Sequence, residues 1–163
     1  MARLAKFEGT DGATLTVTIT ENLTIDGRDY GAKQSVEIPA IVDVTRRIVT
    51  VLHTAEPVIA TFSSVVGPGG YIAADVMYMR FTNLDDTNFI TLTFRNQDND
   101  EVAIKVDNGK SLLLFASNEG MAAMFNATED ADAAYSTNLG SLTNIQARAD
   151  TGAVDLEMYI AGK

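Results

Sequence analysis

The chain has 163 residues, 12 Lys plus Arg against 22 Asp plus Glu for a formal charge of -10, 46% apolar residues and no cysteine. Without cysteine there is no disulfide, thiolate zinc site or cysteine nucleophile, and the acidity works against nucleic acid, whose phosphates are bound mainly through Lys and Arg. The length and apolar content suffice for one packed domain, 1–163, without a covalent staple.

The opening Met1-Ala2-Arg3-Leu4-Ala5-Lys6 leads into Phe7-Glu8-Gly9-Thr10-Asp11-Gly12 with no apolar stretch of signal-peptide length. No cleaved leader is expected, and 1–13 reads as an extended N-terminal arm. No apolar run approaches the ~20 residues of a membrane-spanning helix, so no membrane partner is expected.

Residues 14–20, Thr-Leu-Thr-Val-Thr-Ile-Thr, alternate strictly, with Leu15, Val17 and Ile19 on one face. Asp26-Gly27 and Tyr30-Gly31 are turn signals, and 21–34 reads as a hairpin or loop before Ser35-Val36-Glu37-Ile38 resumes an extended pattern. From Ile41 to His53 the chain is rich in χ1-stiff Val, Ile and Thr, which suit a strand. Arg46-Arg47 inside that run implies a bend or one guanidinium on each face.

Val58 to Phe62 reads as a short strand, and Val66-Gly67-Pro68-Gly69-Gly70 as loop. In 76–83, Met77, Met79 and Phe81 are assigned one face and Val76, Tyr78 and Arg80 the other, the pattern of an interior strand. Ile90, Leu92 and Phe94 alternate with Thr91, Thr93 and Arg95. Strands at 101–106 and 111–116 flank Asp107-Asn108-Gly109-Lys110, read as a tight hairpin turn, so 89–116 is predicted to be a three-strand meander.

Segment 117–140, rich in Ala with Met121, Met124 and Phe125, loses the alternation and is expected to be a long, partly helical excursion. Strands return at 144–149 and 153–160, the latter with Val154, Leu156, Met158 and Ile160 inward and Asp155, Glu157 and Tyr159 outward. About eight antiparallel strands in one domain predict an all-β sandwich or jelly roll.

Chemical motifs are few. Gly109-Lys110-Ser111 ends like a phosphate loop, but Ile104 stands where that motif requires glycine. Asn96, Asp98 and Asp100 space oxygens as a calcium loop does, yet Glu101 and Asp107 occupy its glycine and glutamate positions, leaving only a looser site on Asp98 and Asp100 with Asp85 or Asp86. His53, the single histidine, has no Gly-x-Ser-x-Gly elbow to serve and would have to recruit Ser63, Ser64 or Ser111 through the fold. Asp85-Asp86 and Glu129-Asp130 read as solvated turn carboxylates. The sequons at Asn22 and Asn126 read as chance matches, and the methionines as core or interface filler. No catalytic residue and no cofactor is implied.

The run 78–90, Tyr-Met-Arg-Phe-Thr-Asn-Leu-Asp-Asp-Thr-Asn-Phe-Ile, resembles a pattern in small structural proteins of tailed bacteriophages, where a strand ends in Asn-Leu-Asp, turns through Thr-Asn and returns. Residues 105–115 and 146–160 extend the resemblance, although many relatives carry Pro-Gly-Glu in place of Asn108-Gly109-Lys110. The resemblance implies a non-enzymatic virion component, with a capsid decoration or cement protein favoured, partnered by itself as a symmetric oligomer and by the major capsid protein, and located in the virion after assembly in the host cytoplasm. Contact elements would be 1–13, 66–70 and 117–140, with Arg3, Phe7, Pro68, Tyr71, Met121 and Phe125 as contact residues. Two rivals are a tail, baseplate or fibre-associated subunit and a carbohydrate-binding module; the latter needs exposed aromatics, but tryptophan is absent and Tyr30, Tyr71, Tyr78, Tyr135 and Tyr159 are scattered in sequence.

Overall fold

The computed structural model describes residues 12–65, 67, 69–96, 99, 101–115 and 142–163, and every regular element among them is a β-strand. The expected excursion over 117–140 lies outside the described residues, as does nearly all of the expected arm over 1–13.

The first region is a long ribbon. Strand β1 (Ala13–Glu21) pairs antiparallel with β4 (Ala32–Ile41), and the ladder is prolonged by a small hairpin of β2 (Thr24–Ile25) and β3 (Arg28–Asp29). Asp26 (φ 50) and Gly27 (φ 77) both adopt positive φ, the two-residue mirror-image turn whose twist matches that of its flanking strands. The segment read as a hairpin or loop is thus the far end of one continuous ribbon. From Ala13 to Asp26 it extends roughly 40 Å at about 3.3 Å per residue.

The second region, the body, consists of two sheets. One contains β5 (Asp43–Val51), β8 (Val76–Asn83), β11 (Ser111–Phe115) and β13 (Val154–Gly162), in the order β11-β8-β13-β5. The other contains β6 (Val58–Ser63), β7 (Gly70–Ile72), β9 (Ile90–Asn96), β10 (Glu101–Val106) and β12 (Leu142–Ala149), in the order β10-β9-β12-β6-β7. All pairings are antiparallel except β6 with β7, a strand that the breaker-rich sequence around it concealed.

The two inner faces share one core. Met79, Phe81, Leu156 and Met158 from the four-stranded sheet meet Ile90, Leu92 and Ile145 from the five-stranded sheet, all 0% exposed. Phe81 meets Phe94 edge to face at 6.4 Å between ring centroids. Period-two alternation accounts for these inward positions in β9 and β13. It misassigns the start of β8: Val76 joins the central core while Met77 faces the ribbon, because the ladder shifts register between Ala161 and Gly162.

The predicted meander over 89–116 is also corrected. Strands β9 and β10 pair, but β11 leaves for the opposite sheet and pairs with β8. Lys110 N–H donates to the Asp107 carbonyl (3.1 Å), closing a turn, yet only Gly109 in it has positive φ (66). Without the double positive φ of Asp26-Gly27, the turn does not return the chain alongside β10.

One end of the body is tied by polar side chains. Asn83, 0% exposed, donates from Nδ2 to the carbonyls of Asn88 (2.9 Å) and Val106 (3.2 Å), and its Oδ1 accepts from Asp85 N–H (2.9 Å). The Asp85 carboxylate accepts N–H bonds from Asn88 and Thr87, which hold it below the ordinary aspartate range. Thr151 donates to Asn88 Oδ1 (2.8 Å), and Asn108 Nδ2 donates to the Asp86 carbonyl (2.9 Å). The turns after β8, β10 and β12 therefore meet at one place, each carrying the chain from one sheet to the other.

Candidate functional site

The most distinctive surface lies where the ribbon meets the outer face of the four-stranded sheet. Leu15, Val17 and Ile19 lie on one ribbon face opposite Ile38, Val36 and Gln34 of β4. Threonines fill the other face of β1, where Thr18 and Ser35 hydroxyls hydrogen-bond at 2.9 Å. At its base, the apolar face seats Leu15, Val17, Val36 and Ile38 on Met77, Tyr78, Leu113, Phe115, Tyr159 and Ala161.

The exit angle of the ribbon is set by a kink. Ala40, after Pro39, adopts φ 61, a left-handed conformation that L-residues other than Asn and Asp rarely take. Gly12 lies against this kink so closely that a Cβ there would stand 2.5 Å from the Ala40 carbonyl carbon. Val42 alone separates β4 from β5, and its N–H donates to the Gly162 carbonyl (2.9 Å), pinning the ribbon to the sheet edge.

Beneath the ribbon the sheet carries a mixed aromatic and ionic layer. Tyr78 and Tyr159 meet edge to face at 5.6 Å, and the Arg80 guanidinium lies 5.8 Å from the Tyr159 ring centre. Glu157 accepts from Arg46 Nη2 at 2.7 Å on one oxygen and from Arg80 on the other. The Arg46 hydrogen bond is the largest influence on Glu157, and together with the Arg80 charge it outweighs burial and lowers the carboxyl pKa. Burial pushes the Tyr78 phenol up, opposed by Arg80. A groove of about 350 Å³ runs between ribbon and sheet, lined by Leu15, Val17, Tyr78, Arg80, Leu113 and Tyr159.

Both halves of this contact extend beyond their overlap. On the ribbon, Val17 is 9% exposed, but Ile19 is 40%, Leu23 50%, Ile25 52% and Tyr30 56% exposed. On the sheet, Tyr78 is 6% and Ala161 0% exposed, while Val44 and Ile48 on β5 are 48% and 61% exposed. Register places Val44 beside Ala161 and Ile48 beside Glu157, so these two side chains continue the covered face outward. Period-two reading continued past Glu21 to Leu23 and Ile25 would have flagged the ribbon side. The sheet side depends on pairing that no local pattern encodes.

Of the contact residues expected from sequence, Arg3, Phe7, Pro68, Met121 and Phe125 lie outside the described residues. Tyr71 is half-buried against Phe62 (5.8 Å between centroids) beside a pocket of about 150 Å³ that Asp43, Asp75 and Lys163 also line. Asp98 and Asp100 lie outside the described residues, as do Glu129, Asp130 and Asn126, and among the described residues no three His, Asp or Glu side chains gather as a metal site requires. His53 is exposed, and its carbonyl accepts from Arg148 (3.3 Å). Ser63 donates to the Val65 carbonyl and Ser111 bonds Thr82 (2.8 Å). Arg47 reaches the Ile59 carbonyl on the inner side while Arg46 points outward, so the Arg46-Arg47 pair places one guanidinium on each face.

Among the described residues no helix is long and apolar enough to cross a membrane. No protein-family model, no curated protein and no solved structure matches this chain.

Proposed function

We propose that this chain is a non-enzymatic structural subunit of a tailed-bacteriophage virion, most simply a decoration or cement protein that binds the outside of the assembled shell as an oligomer. The observation that carries this reading is the ribbon: a long, amphipathic projection whose apolar side is covered at its base and open over its outer half. An exposed apolar surface of this kind marks a contact with another macromolecule. The mechanism is mass action, since a subunit that binds only the assembled lattice lowers that state's free energy and resists its disassembly.

We further infer that the body is a jelly roll. Supporting this are the strand orders β5-β13-β8-β11 and β6-β12-β9-β10, in which each successive one of these eight strands changes layer except at the β9-β10 hairpin, and β7 is an added edge. Jelly rolls recur in viral shell proteins and in lectins. The aromatic pair Tyr78 and Tyr159 lies under the ribbon rather than on an open concave sheet, which favours assembly over sugar binding.

Mass photometry of the full chain followed by co-sedimentation with empty cognate capsids tests the reading. A defined oligomer that pellets with capsids is expected; a chain that stays monomeric and remains in the supernatant overturns it. Electron microscopy of particles distinguishes shell from tail placement.

A further inference from the structure

We infer that the outer half of the ribbon docks on β5 of a second copy of this chain, covering the open part of the four-stranded sheet's outer face. This rests on the reading of the chain as an assembly subunit and deepens it by naming both surfaces and the occupant.

The first argument is continuity. Leu15 and Val17 already sit on the outer face of this sheet in their own chain. Ile19 continues that face and remains open, and Leu23 and Ile25 beyond it are apolar and open as well, while Val44 and Ile48 extend the sheet's receiving face and also remain open. Because both halves are exposed within one chain, they do not satisfy each other there. A second copy supplies each with the partner whose chemistry the first chain already uses.

The second argument is charge. With 22 acidic against 12 basic residues, two copies approaching at random repel each other. The outer ribbon carries Glu21, Asp26 and Asp29 together with Arg28 and Lys33, all exposed, and is acidic by a single charge. Strand β5 presents Arg46 on this outer face, its side chain 67% exposed although it contacts Glu157. A ribbon carboxylate therefore finds one largely exposed guanidinium on the receiving face, and attraction to it favours this encounter.

The third argument is the backbone. Strand β5 ends its sheet, with β13 on one side and no strand of this chain on the other among the described residues. A ribbon lying over this face reaches that edge, whose unpaired main-chain groups offer hydrogen bonds beside the apolar contact. Reciprocal exchange between two copies gives a closed dimer, and the same contact made head to tail gives a ring.

The chain's lack of cysteine makes the test direct. Full-length Ile25→Cys and Leu23→Cys variants are each mixed with full-length Ile48→Cys or Val44→Cys under mild oxidation, and mixed-chain disulfides are scored by non-reducing electrophoresis and mass spectrometry. The control partner is Val102→Cys, a 59% exposed apolar position on β10 at the edge of the other sheet. Ribbon-to-β5 disulfides well above the control yield are expected. Yields no higher than the control overturn the inference.

In parallel, Ile48→Asp, at an exposed site where folding tolerates the change, is expected to weaken self-association roughly tenfold or more by sedimentation, about 1.4 kcal/mol. Unchanged association overturns the inference. Capsid co-sedimentation separates the two readings: binding to capsids without ribbon-to-β5 cross-links sinks this inference alone, and cross-links without capsid binding sink only the virion placement.

Discussion

Ribbon and body are written in the same alternating residue pattern, yet they end in different states of burial. In β13, alternate side chains reach 0–2% exposure at Val154, Leu156, Met158 and Ile160 because a sheet faces them and a strand flanks them on each side. In β1 the equivalent series runs from Val17 at 9% to Ile19 at 40%, because among the described residues a single partner strand and part of one sheet face are all that lie against it. A lone two-stranded ribbon is at best marginally stable in water. Alternation thus specifies a strand and its sidedness, and burial depends on what the remainder of the molecule, or another molecule, places opposite.

The largest way to break the comparison is through the body. Phe81→Ala removes a fully buried ring that meets Phe94 and should cost about 3–5 kcal/mol, read by urea denaturation. Because the ribbon rests on the body, both regions should lose structure together, and a ribbon that stays ordered would contradict its dependence on that face.

The converse change sharpens the boundary. Ile38, 0% exposed, anchors the ribbon base, and Ile38→Ala should cost about 2–5 kcal/mol. Amide hydrogen exchange should show protection falling over Ala13–Ile41 while the body keeps its own. Equal loss in both regions would mean that they open as one unit.

A smaller effect is expected at the kink. Ala40→Gly relieves a left-handed alanine costing about 1–2 kcal/mol, offset by the entropy of the added glycine, for a net gain of up to about 1 kcal/mol. Gly12→Ala places a Cβ against the Ala40 backbone and should lower the melting temperature. A rise with Gly12→Ala would show that this close approach does not constrain the ribbon.

The smallest effect concerns Glu157. Its pKa is lowered in the folded state, so its contribution to stability is present above the unfolded glutamate value of about 4.3 and is lost as pH falls through the lower folded value. Glu157→Gln should be less stable than the parent at neutral pH, with the two stability curves converging on acidification. Parallel curves down to low pH would deny the carboxylate this role.

Much of the fold was legible in particular residues. The threonine-spaced runs at 14–20 and 90–94 and the last strand marked their strands and their inward sides, and Asp26-Gly27 marked a true hairpin. Asn108-Gly109 looked equivalent and was not, since the backbone adopts positive φ only at Gly109 and the chain crosses to the other sheet. The ribbon side of the candidate surface was legible as far as Ile19, beyond which 21–34 read only as a hairpin or loop. Its receiving half was not, because Val44 and Ile48 become neighbours of Ala161 and Glu157 only through a pairing more than a hundred residues away.

The sequence by itself determined that this chain forms strands, that they are two-sided, and that, without cysteine, it holds no disulfide, because side-chain periodicity and residue type are local properties. Tertiary structure alone decided which strands share a sheet, that Glu157 lies between Arg46 and Arg80, and that the ribbon is only half covered. Pairing and coverage are set by the competition of distant segments for the same edges and faces, and no single stretch of sequence records how that competition ends.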